Sequence, residues 1–275
     1  MIKGSQLSIY GLTLINGMLA NRFYPVSRNT TLNEKFNILP DQHMPKGSVD
    51  TPIFPRVKYF TIGIGGNRII EKAEGYKMSQ HRVLDAALFH HIPFVLKKPN
   101  EDITPERRLD YRLRKLINVN GESYYAYYAK VVQLIDFRPY NFLITRQDGK
   151  DVISMLNMDT DEYLNPVPFN KPTDKNEVLN MDTVINRFKF EFLLTQKEQD
   201  DLREAIEILM LPKDTRITEI GICHGYDTIV GDGYESLDTQ ITYFVDVDLD
   251  VATELDGKTL FQRNIELGGS EPFFR

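Results

Sequence analysis

The sequence has no tryptophan and only one cysteine, Cys223, among its 275 residues. A lone cysteine excludes an intrachain disulfide and any zinc site that is built from several cysteines. This usage is typical of a protein that folds in a reducing cytosol. Polar residues also interrupt every apolar stretch before it reaches the roughly 18 residues that a membrane-spanning helix needs. We therefore expect no contact with a membrane.

Clustered positive charge is missing as well. The net charge is −6, and the most basic short run is RRLDYRLRK, residues 107–115. Because phosphate binding needs clustered cations, the sequence predicts no nucleic-acid partner. The N-terminal stretch MIKGSQLSIYGLTLINGML lacks a small-residue cleavage site, so it indicates an amphipathic helix over residues 5–21 and no signal peptide.

Tyrosine and phenylalanine are abundant, at 14 and 16 residues, and this composition favours strands. Asn120-Gly121 and Asp148-Gly149 each separate two strand-like runs, which predicts two β-hairpins, with at most one helical turn after Thr104. Alternation over 184–194 predicts another strand. A capping box at Thr195 and Glu198 then predicts a helix that Pro212 ends.

Together these patterns predict a β-rich α+β fold with antiparallel, sandwich-like sheets, one or two helices and long extended arms. We expect an N-terminal helix and extended arm over residues 1–56. A β-rich core domain then follows over 57–275, with a loop insertion at 157–182. Segments 22–56 and 157–182 are polar and rich in proline, and such long segments inside compact chains are usually functional or ordered by partners.

Motifs that bind metals or cofactors are incomplete in this chain. The run Gly63, Gly65, Gly66 fits neither phosphate-loop fingerprint, and it is typical of a turn at the end of a strand. Adjacent His90 and His91 would point to opposite faces of a strand. The acidic residues of the DVDLD stretch, 246–250, lack the glycine and glutamate that a calcium loop requires. We predict no metal and no cofactor.

Cys223 and His224 raise the question of a nucleophile beside its base. On a strand the two side chains face opposite ways, so neither activates the other, and a cysteine packed beneath a neighbouring element is expected. We therefore predict no catalytic residue and no enzyme. Two alternatives stay open: a hydrolase that uses His224, and a ligand- or carbohydrate-binding β-domain whose platform is the tyrosine-rich run 124–128.

Three segments resemble proteins associated with the tail, baseplate or neck of bacteriophage virions. They are YFTIGIGGN, YRLRKLINVNGESYYAYYAKVV, and FKFEFLLTQKEQDDLREAIEILMLPKDTRITEIGICHGYD. Adaptor proteins of this kind carry a helix followed by a strand of the form ITEIGI, here residues 217–222, which docks onto neighbouring subunits. No repetitive fibre shaft follows, which favours an adaptor or collar piece over a receptor-binding fibre.

The resemblance implies a non-enzymatic virion component, made in the host cytoplasm, whose partners are other virion proteins and further copies of itself in a symmetric oligomer. Tyrosine is enriched at interfaces, and the C-terminal PFFR is an anchor unless its phenylalanines bury in their own fold. The predicted interface residues are Ile217, Glu219, Ile220, Ile222, Tyr125, Tyr127, Phe273 and Phe274.

Overall fold

The computed structural model describes residues 2–20, 30–36, 54–69, 76–78, 81–147, 150–155, 181–212, 215–230, 233–251, 261–267 and 270–274. The helices are α1 (Ile9–Ala20), α2 (Leu32–Phe36), α3 (Pro105–Arg108) and α4 (Gln196–Ile208). The strands of the first half are β1 (Ile2–Leu7), β2 (Arg56–Gly63), β3 (Asn67–Ile69), β4 (Tyr76–Met78), β5 (His91–Ile92), β6 (Val95–Lys97), β7 (Tyr111–Val119) and β8 (Glu122–Val131). The later strands are β9 (Gln133–Gln147), β10 (Lys150–Met155), β11 (Met181–Leu194), β12 (Arg216–Val230), β13 (Gly233–Asp250), β14 (Phe261–Leu267) and β15 (Ser270–Phe274).

The β-rich α+β class with antiparallel sheets is confirmed. Every strand pairing described is antiparallel, and α1 and α4 are the longest helices within the described residues. The chain forms two compact units, one of residues 1–133 and 192–262 and one of residues 134–191 and 263–275. The predicted boundary at residue 56 stays a prediction, because residues 37–53 before it lie outside the described residues.

The first unit is built on an eight-stranded sheet of order β1-β13-β12-β2-β8-β6, in which β5 also pairs with β2 and β7 with β8. Strand β12 lies between β13 and β2, with Ile222 opposite Tyr243 on one side and Phe60 on the other. Residues 217–226 of β12 are all buried, which means that both faces of this strand are covered. The central position of β12 therefore places its side chains inside the unit.

The hairpin at Asn120-Gly121 is confirmed, with Val119 paired to Glu122 across the turn. Both turn residues have positive φ, 53° and 87°, as a tight primed turn requires. The Asn118 side chain accepts a hydrogen bond from the Gly121 amide at 3.0 Å. One helical turn, α3, precedes β7, as the sequence predicts.

Two apolar clusters form the core of this unit. The first joins residues of α2 to several strands and contains Leu32, Phe36, Tyr59, Leu88, Leu113, Ala129, Cys223, Ile241 and Phe244. The second joins α4 to the sheet and contains Leu96, Tyr124, Ala126 and Ala205. Burying one side chain of the size of leucine or phenylalanine stabilises the fold by about 1.5–3 kcal/mol, so short α2 is held by packing rather than by its length.

The predicted capping box of α4 is confirmed. The Thr195 side chain accepts a hydrogen bond from the Glu198 amide, and the Glu198 carboxylate accepts one from the Thr195 amide at 2.7 Å. Leu202 and Ala205 lie on the buried stripe of the helix. The cap satisfies backbone donors that the first helical turn leaves open, which is worth about 1 kcal/mol.

The N-terminus differs from the predicted helix over residues 5–21. Residues 2–7 form strand β1, which pairs with β13, and the helix starts only at Ile9. Ser8 marks the change, because its hydroxyl accepts a hydrogen bond from the Gly11 amide at 3.1 Å, in the manner of a helix N-cap. Gly11 lets the helix approach β13 closely, since a Cβ there would lie 2.7 Å from the Thr242 carbonyl oxygen.

The second unit contains a five-stranded sheet of order β10-β9-β11-β14, with β15 paired to β11. The second predicted hairpin is confirmed, with Lys150 opposite Gln147, and so is the strand predicted over 184–194, which begins earlier, at Met181. Most of the predicted arm segments 22–56 and 157–182 lie outside the described residues. Within the first of them α2 is helical, and Leu32 and Phe36 are buried.

Candidate functional site

The most elaborate polar site within the described residues is centred on Glu219, a residue of β12 that is 1% exposed. Its carboxylate accepts four hydrogen bonds: from the amides of Gly65 (2.7 Å), Phe89 (2.8 Å) and His90 (3.2 Å), and from Nε2 of His81 (2.7 Å). A buried carboxylate is costly unless hydrogen bonds replace its water, and here backbone donors and one imidazole do so.

The glycines at the end of β2 and directly after it leave room for this carboxylate and its neighbours. A Cβ on Gly63 would lie 2.7 Å from Glu219 Oε1, and one on Gly65 would lie 2.6 Å from the Phe89 side chain. The Gly66 amide in turn donates to Thr218 Oγ1 at 3.0 Å. Close approach of β12 at Gly63 and Gly66, and of Phe89 and His90 at Gly65, therefore explains the three glycines without a phosphate ligand, and β2 ends at Gly63 as the sequence predicts.

His81 is clamped between two aromatic rings. Its ring lies 4.2 Å from that of Phe89 and 4.1 Å from that of Phe244, nearly parallel to both. Nε2 donates to Glu219, while Nδ1 lies 3.6 Å from Asp85 Oδ2 and has no hydrogen-bond partner among the described residues. Sequence reasoning missed this residue, because 138 positions separate His81 from Glu219 and only the fold brings them together.

Both His81 and Glu219 affect the pKa of Asp246. Burial raises the pKa of Asp246, the Glu219 carboxylate raises it further, and His81 lowers it. Another acid of the DVDLD stretch, Asp248, accepts a hydrogen bond from Arg216 at 2.5 Å. In the part of the chain that the structure describes, no group of three or more His, Cys, Asp or Glu side chains is placed to hold a metal ion.

Cys223 and His224 have separate partners. Cys223 is fully buried in the apolar cluster around Tyr59, and burial raises the pKa of its thiol to about 12. His224 is 2% exposed and its Nδ1 lies 2.7 Å from Thr242 Oγ1. Burial lowers the pKa of His224 to about 4, although Gln240 opposes the shift. At neutral pH the Cys223 thiol therefore stays protonated, and a buried imidazole with a pKa of about 4 is too weak a base to deprotonate it.

The predicted interface residues on β12 are part of the interior. Ile217, Glu219, Ile220 and Ile222 are each at most 2% exposed, because β12 is covered on both faces. Alternation along the strand predicts one outward face only when the strand is half-buried, and this one is not. These four side chains therefore have no exposed area to offer a partner.

The tyrosines of β8 are also buried or in contact with side chains of the same chain. Tyr127 is buried and donates its hydroxyl hydrogen to Asp102 at 2.8 Å, whereas half-buried Tyr125 carries the Arg114 guanidinium 3.6 Å above its ring. Tyr124 is 8% exposed, so the run does not present a stacked aromatic platform. Phe273 and Phe274 lie on β15 opposite Asp182 and Met181, and their side chains lie outside the described residues.

Buried charge also ties α4 to the sheet. Glu198 accepts hydrogen bonds from Lys130 at 2.6 Å and from the Tyr111 hydroxyl at 3.0 Å. Burial raises the pKa of Glu198, but Lys130 and the Thr195 cap outweigh it and leave the pKa below its ordinary value. A second half-buried carboxylate, Asp227, is held by Lys58, by the Tyr59 hydroxyl at 2.6 Å and by the Arg112 guanidinium at 2.9 Å.

Apolar side chains, in contrast, are exposed at several places among the described residues, and two of these places are α1 and β10. Helix α1 contains no charged residue, and Leu12, Ile15 and Met18 are exposed along one stripe of it. Strand β10 exposes all six of its side chains, among them Val152, Ile153 and Met155. Among helices in the described ranges, none combines the length and the apolar character needed to cross a bilayer.

Fold and sites together define a β-rich α+β protein in which buried carboxylates fasten loops and helices to one antiparallel sheet. The chain belongs to the family of unknown function DUF7208, which matches residues 4–275. No curated protein and no solved structure matches the chain.

Proposed function

We propose that the chain is a non-enzymatic structural component of a bacteriophage virion. In this proposal it is an oligomeric adaptor at the tail, baseplate or neck that docks neighbouring subunits or fibres. Sandwich-like packing of its sheets and partner-ordered arms over 22–56 and 157–182 belong to the same proposal. The observation that carries it is the exposed apolar stripe of α1.

The stripe is formed by Leu12, Ile15 and Met18, which are spaced three residues apart and therefore lie on the same side of the helix. Near its start, the Ile9 amide donates to the Val83 carbonyl at 2.9 Å, which brings the helix beside Leu84, an apolar residue that is 70% exposed. Clustered apolar surface on a protein marks sites of contact with other proteins. An adaptor needs such a surface, and a freely soluble enzyme does not.

The polar sites support the same proposal, because their side chains form hydrogen bonds that hold parts of the fold together. The Glu219 carboxylate fastens the turn after β2 and residues 89–90, and Glu198 fastens α4 to β8. Neither the Cys223 thiol nor the His224 ring is exposed to a substrate. The hydrolase alternative therefore gains nothing from the geometry around these two residues.

Parts of all three segments that resemble virion proteins lie in the eight-stranded sheet. YFTIGIGGN includes the end of β2, and the hairpin segment forms β7 and β8. ITEIGI lies in β12. Strand β2 pairs with β12 through Ile62 and Ile220, and with β8 through Phe60 and Lys130. These parts of the resemblance therefore share one sheet, whereas residues 188–194, at the start of the third segment, belong to β11 of the other sheet.

Mass spectrometry of purified virus particles tests the proposal. Particles from cells that carry the gene for this chain should contain it at a fixed ratio to known tail or neck proteins, and it should remain after washes that remove loosely bound protein. A chain absent from every particle fraction, and present only free in the lysate, would refute the virion role.

The stripe itself is tested with Ile15→Lys, and Ile229→Lys serves as the control, because Ile229 is exposed on β12 away from α1. The first variant should fold and fail to incorporate into particles, while the second should incorporate normally. Equal incorporation of both variants would remove α1 as the docking surface.

A further inference from the structure

We propose that strand β10 is a self-association edge, where two copies of the chain pair their β10 strands antiparallel about a two-fold axis. The inference deepens the proposed oligomeric role and rests on it only for its biological meaning. It concerns the second unit alone. The partner to which it commits is a second copy of the same chain.

The first argument is that β10 is an edge strand among the strands that the structure describes. This strand is the end of its sheet and pairs with β9 alone among the described strands. One edge of an outermost strand leaves alternate N–H and C=O groups without partners, so it is a template for a further strand. Proteins usually guard such an edge with proline, with a bulge or with charges spread along it.

β10 has little of this protection. Its sequence is KDVISM, with no proline, and its described register with β9 runs from Lys150 to Met155 without a bulge. The only charges, Lys150 and Asp151, are both at one end. Beyond them stand Val152, Ile153 and Met155, which are 42%, 60% and 68% exposed. An unguarded apolar edge in a folded protein is expected to have a partner.

The second argument is that β10 is complementary to itself. Every second residue of the strand points its backbone N–H and C=O groups to the free edge, and directly opposite residues in an antiparallel pair must be of the same type. A two-fold axis between two copies must therefore pass through a residue that faces its own copy, and it cannot pass between two neighbouring residues. An axis at Ile153 sets Asp151 opposite Met155, and Val152 opposite Ser154. An axis at Val152 sets Lys150 opposite Ser154, and Asp151 opposite Ile153.

Neither register places like charges opposite each other, and each places a β-branched pair, Ile153 with Ile153 or Val152 with Val152, at the axis. Such pairs favour strand association, whereas like charges directly opposite oppose it. A two-fold axis at Lys150 or Asp151 would oppose like charges, so the charges at one end confine pairing to the apolar half. This restriction of register is what a specific homodimer requires.

The expected dimer is weak in isolation. An edge of six residues buries less surface than the roughly 1,200–2,000 Å² typical of stable complexes, so we expect micromolar rather than nanomolar association. Within a larger assembly, additional contacts would raise the effective concentration of the second copy and secure the pairing.

Sedimentation velocity on the full chain, up to ~100 µM, tests the pairing. The unmodified chain should show a concentration-dependent dimer. The double variant Val152→Lys with Ile153→Lys should raise the dimer dissociation constant about tenfold or more, because an axis at either residue then sets two lysines opposite each other. The matched control Ile229→Lys, in which an equally exposed isoleucine changes outside β10, should leave the constant unchanged. Far-UV circular dichroism establishes that all three chains are folded.

Cysteine cross-linking tests the geometry independently. The only native cysteine is fully buried, so the unmodified chain provides a clean background. Either Val152→Cys or Ile153→Cys should form a disulfide-linked dimer under mild oxidation, since the residue at the axis faces its own copy. A monomeric unmodified chain at the highest concentration, or a dimer that the double variant leaves intact, would overturn the proposal. Particle incorporation without β10-dependent dimerisation would overturn it while the virion role stands.

Discussion

Replacing Glu219 by glutamine should destabilise the protein strongly although the two side chains have nearly the same shape. Each carboxylate oxygen accepts two hydrogen bonds: Oε1 from the amides of Gly65 and His90, and Oε2 from the Phe89 amide and the His81 ring. Glutamine keeps one acceptor oxygen and replaces the other by an NH₂ group, which can only donate.

The two orientations of the glutamine amide are unequal. With NH₂ in the Oε1 position, two backbone amides face a donor. With NH₂ in the Oε2 position, only Phe89 does, because His81 can move its proton to Nδ1, which faces Asp85 at 3.6 Å. We therefore expect the second orientation and one orphaned backbone N–H.

The magnitude follows from that single loss and from the loss of charge. A buried donor left without a partner costs about 1–3 kcal/mol, and hydrogen bonds to a charged group contribute about 1.5–3 kcal/mol, roughly twice the value of neutral ones. Together these effects predict that Glu219→Gln lowers the free energy of unfolding by about 2–4 kcal/mol. For a chain of this size the melting temperature should fall by roughly 5–15 °C.

Urea unfolding followed by far-UV circular dichroism measures the loss, since the chain has no tryptophan for fluorescence. The matched control is Glu207→Gln on the exposed side of α4, which should stay within about 0.5 kcal/mol of the unmodified chain. If both variants unfold at the same urea concentration, the Glu219 carboxylate does not organise these loops, and the reasoning from its hydrogen bonds fails.

Three further predictions use the same measurements. Folding lowers the pKa of His224 from 6.5 to about 4, so the unfolded chain binds more protons in this pH range. About 3 kcal/mol of stability that is present above pH 6.5 should therefore be lost as the pH drops toward 4. The variant His224→Gln should lose less stability over this range than the control His90→Gln, and equal pH profiles of the two variants would contradict the prediction. The Cys223 thiol should resist a thiol reagent in the native chain and react at once in urea, since it is fully buried; rapid native labelling would reopen the nucleophile hypothesis. Thr195→Ala should lower the free energy of unfolding by about 1 kcal/mol through loss of the α4 cap, whereas Gln196→Ala beside it should not.

Local signals in the sequence predict local structure well in this chain. The Asn120-Gly121 turn, the single turn α3 and the Thr195 cap each depend on residues within a few positions of one another, and the structure has all three. Backbone preference and a nearby hydrogen bond are enough to specify them.

The sequence patterns do not predict contacts between residues that are far apart in the chain. The resemblance of ITEIGI to a docking strand predicts Glu219 at an interface, and alternation does not correct this, because it cannot tell a half-buried strand from one covered on both faces. His81 carried no motif at all, and its role depends on β12, Phe89 and Phe244, which no spacing rule connects. The sequence predicts too early a start for α1, because the helical spacing of apolar residues continues back through Ser8 into β1. The boundary is marked by one residue alone, the cap Ser8.

The distribution of polar and apolar groups gives the strongest general argument about this protein. Glu219, Glu198 and Lys130 are inside, each with a hydrogen-bond partner, while Met18, Leu84 and Ile153 stand in solvent. Buried carboxylates removed from their partners would be destabilising, so the interior tolerates little change. Exposed apolar groups, in contrast, contribute nothing to the isolated chain and become favourable only when another molecule covers them. Under the proposed adaptor role, the apolar surfaces of α1 and β10 are therefore the places where neighbouring subunits would dock.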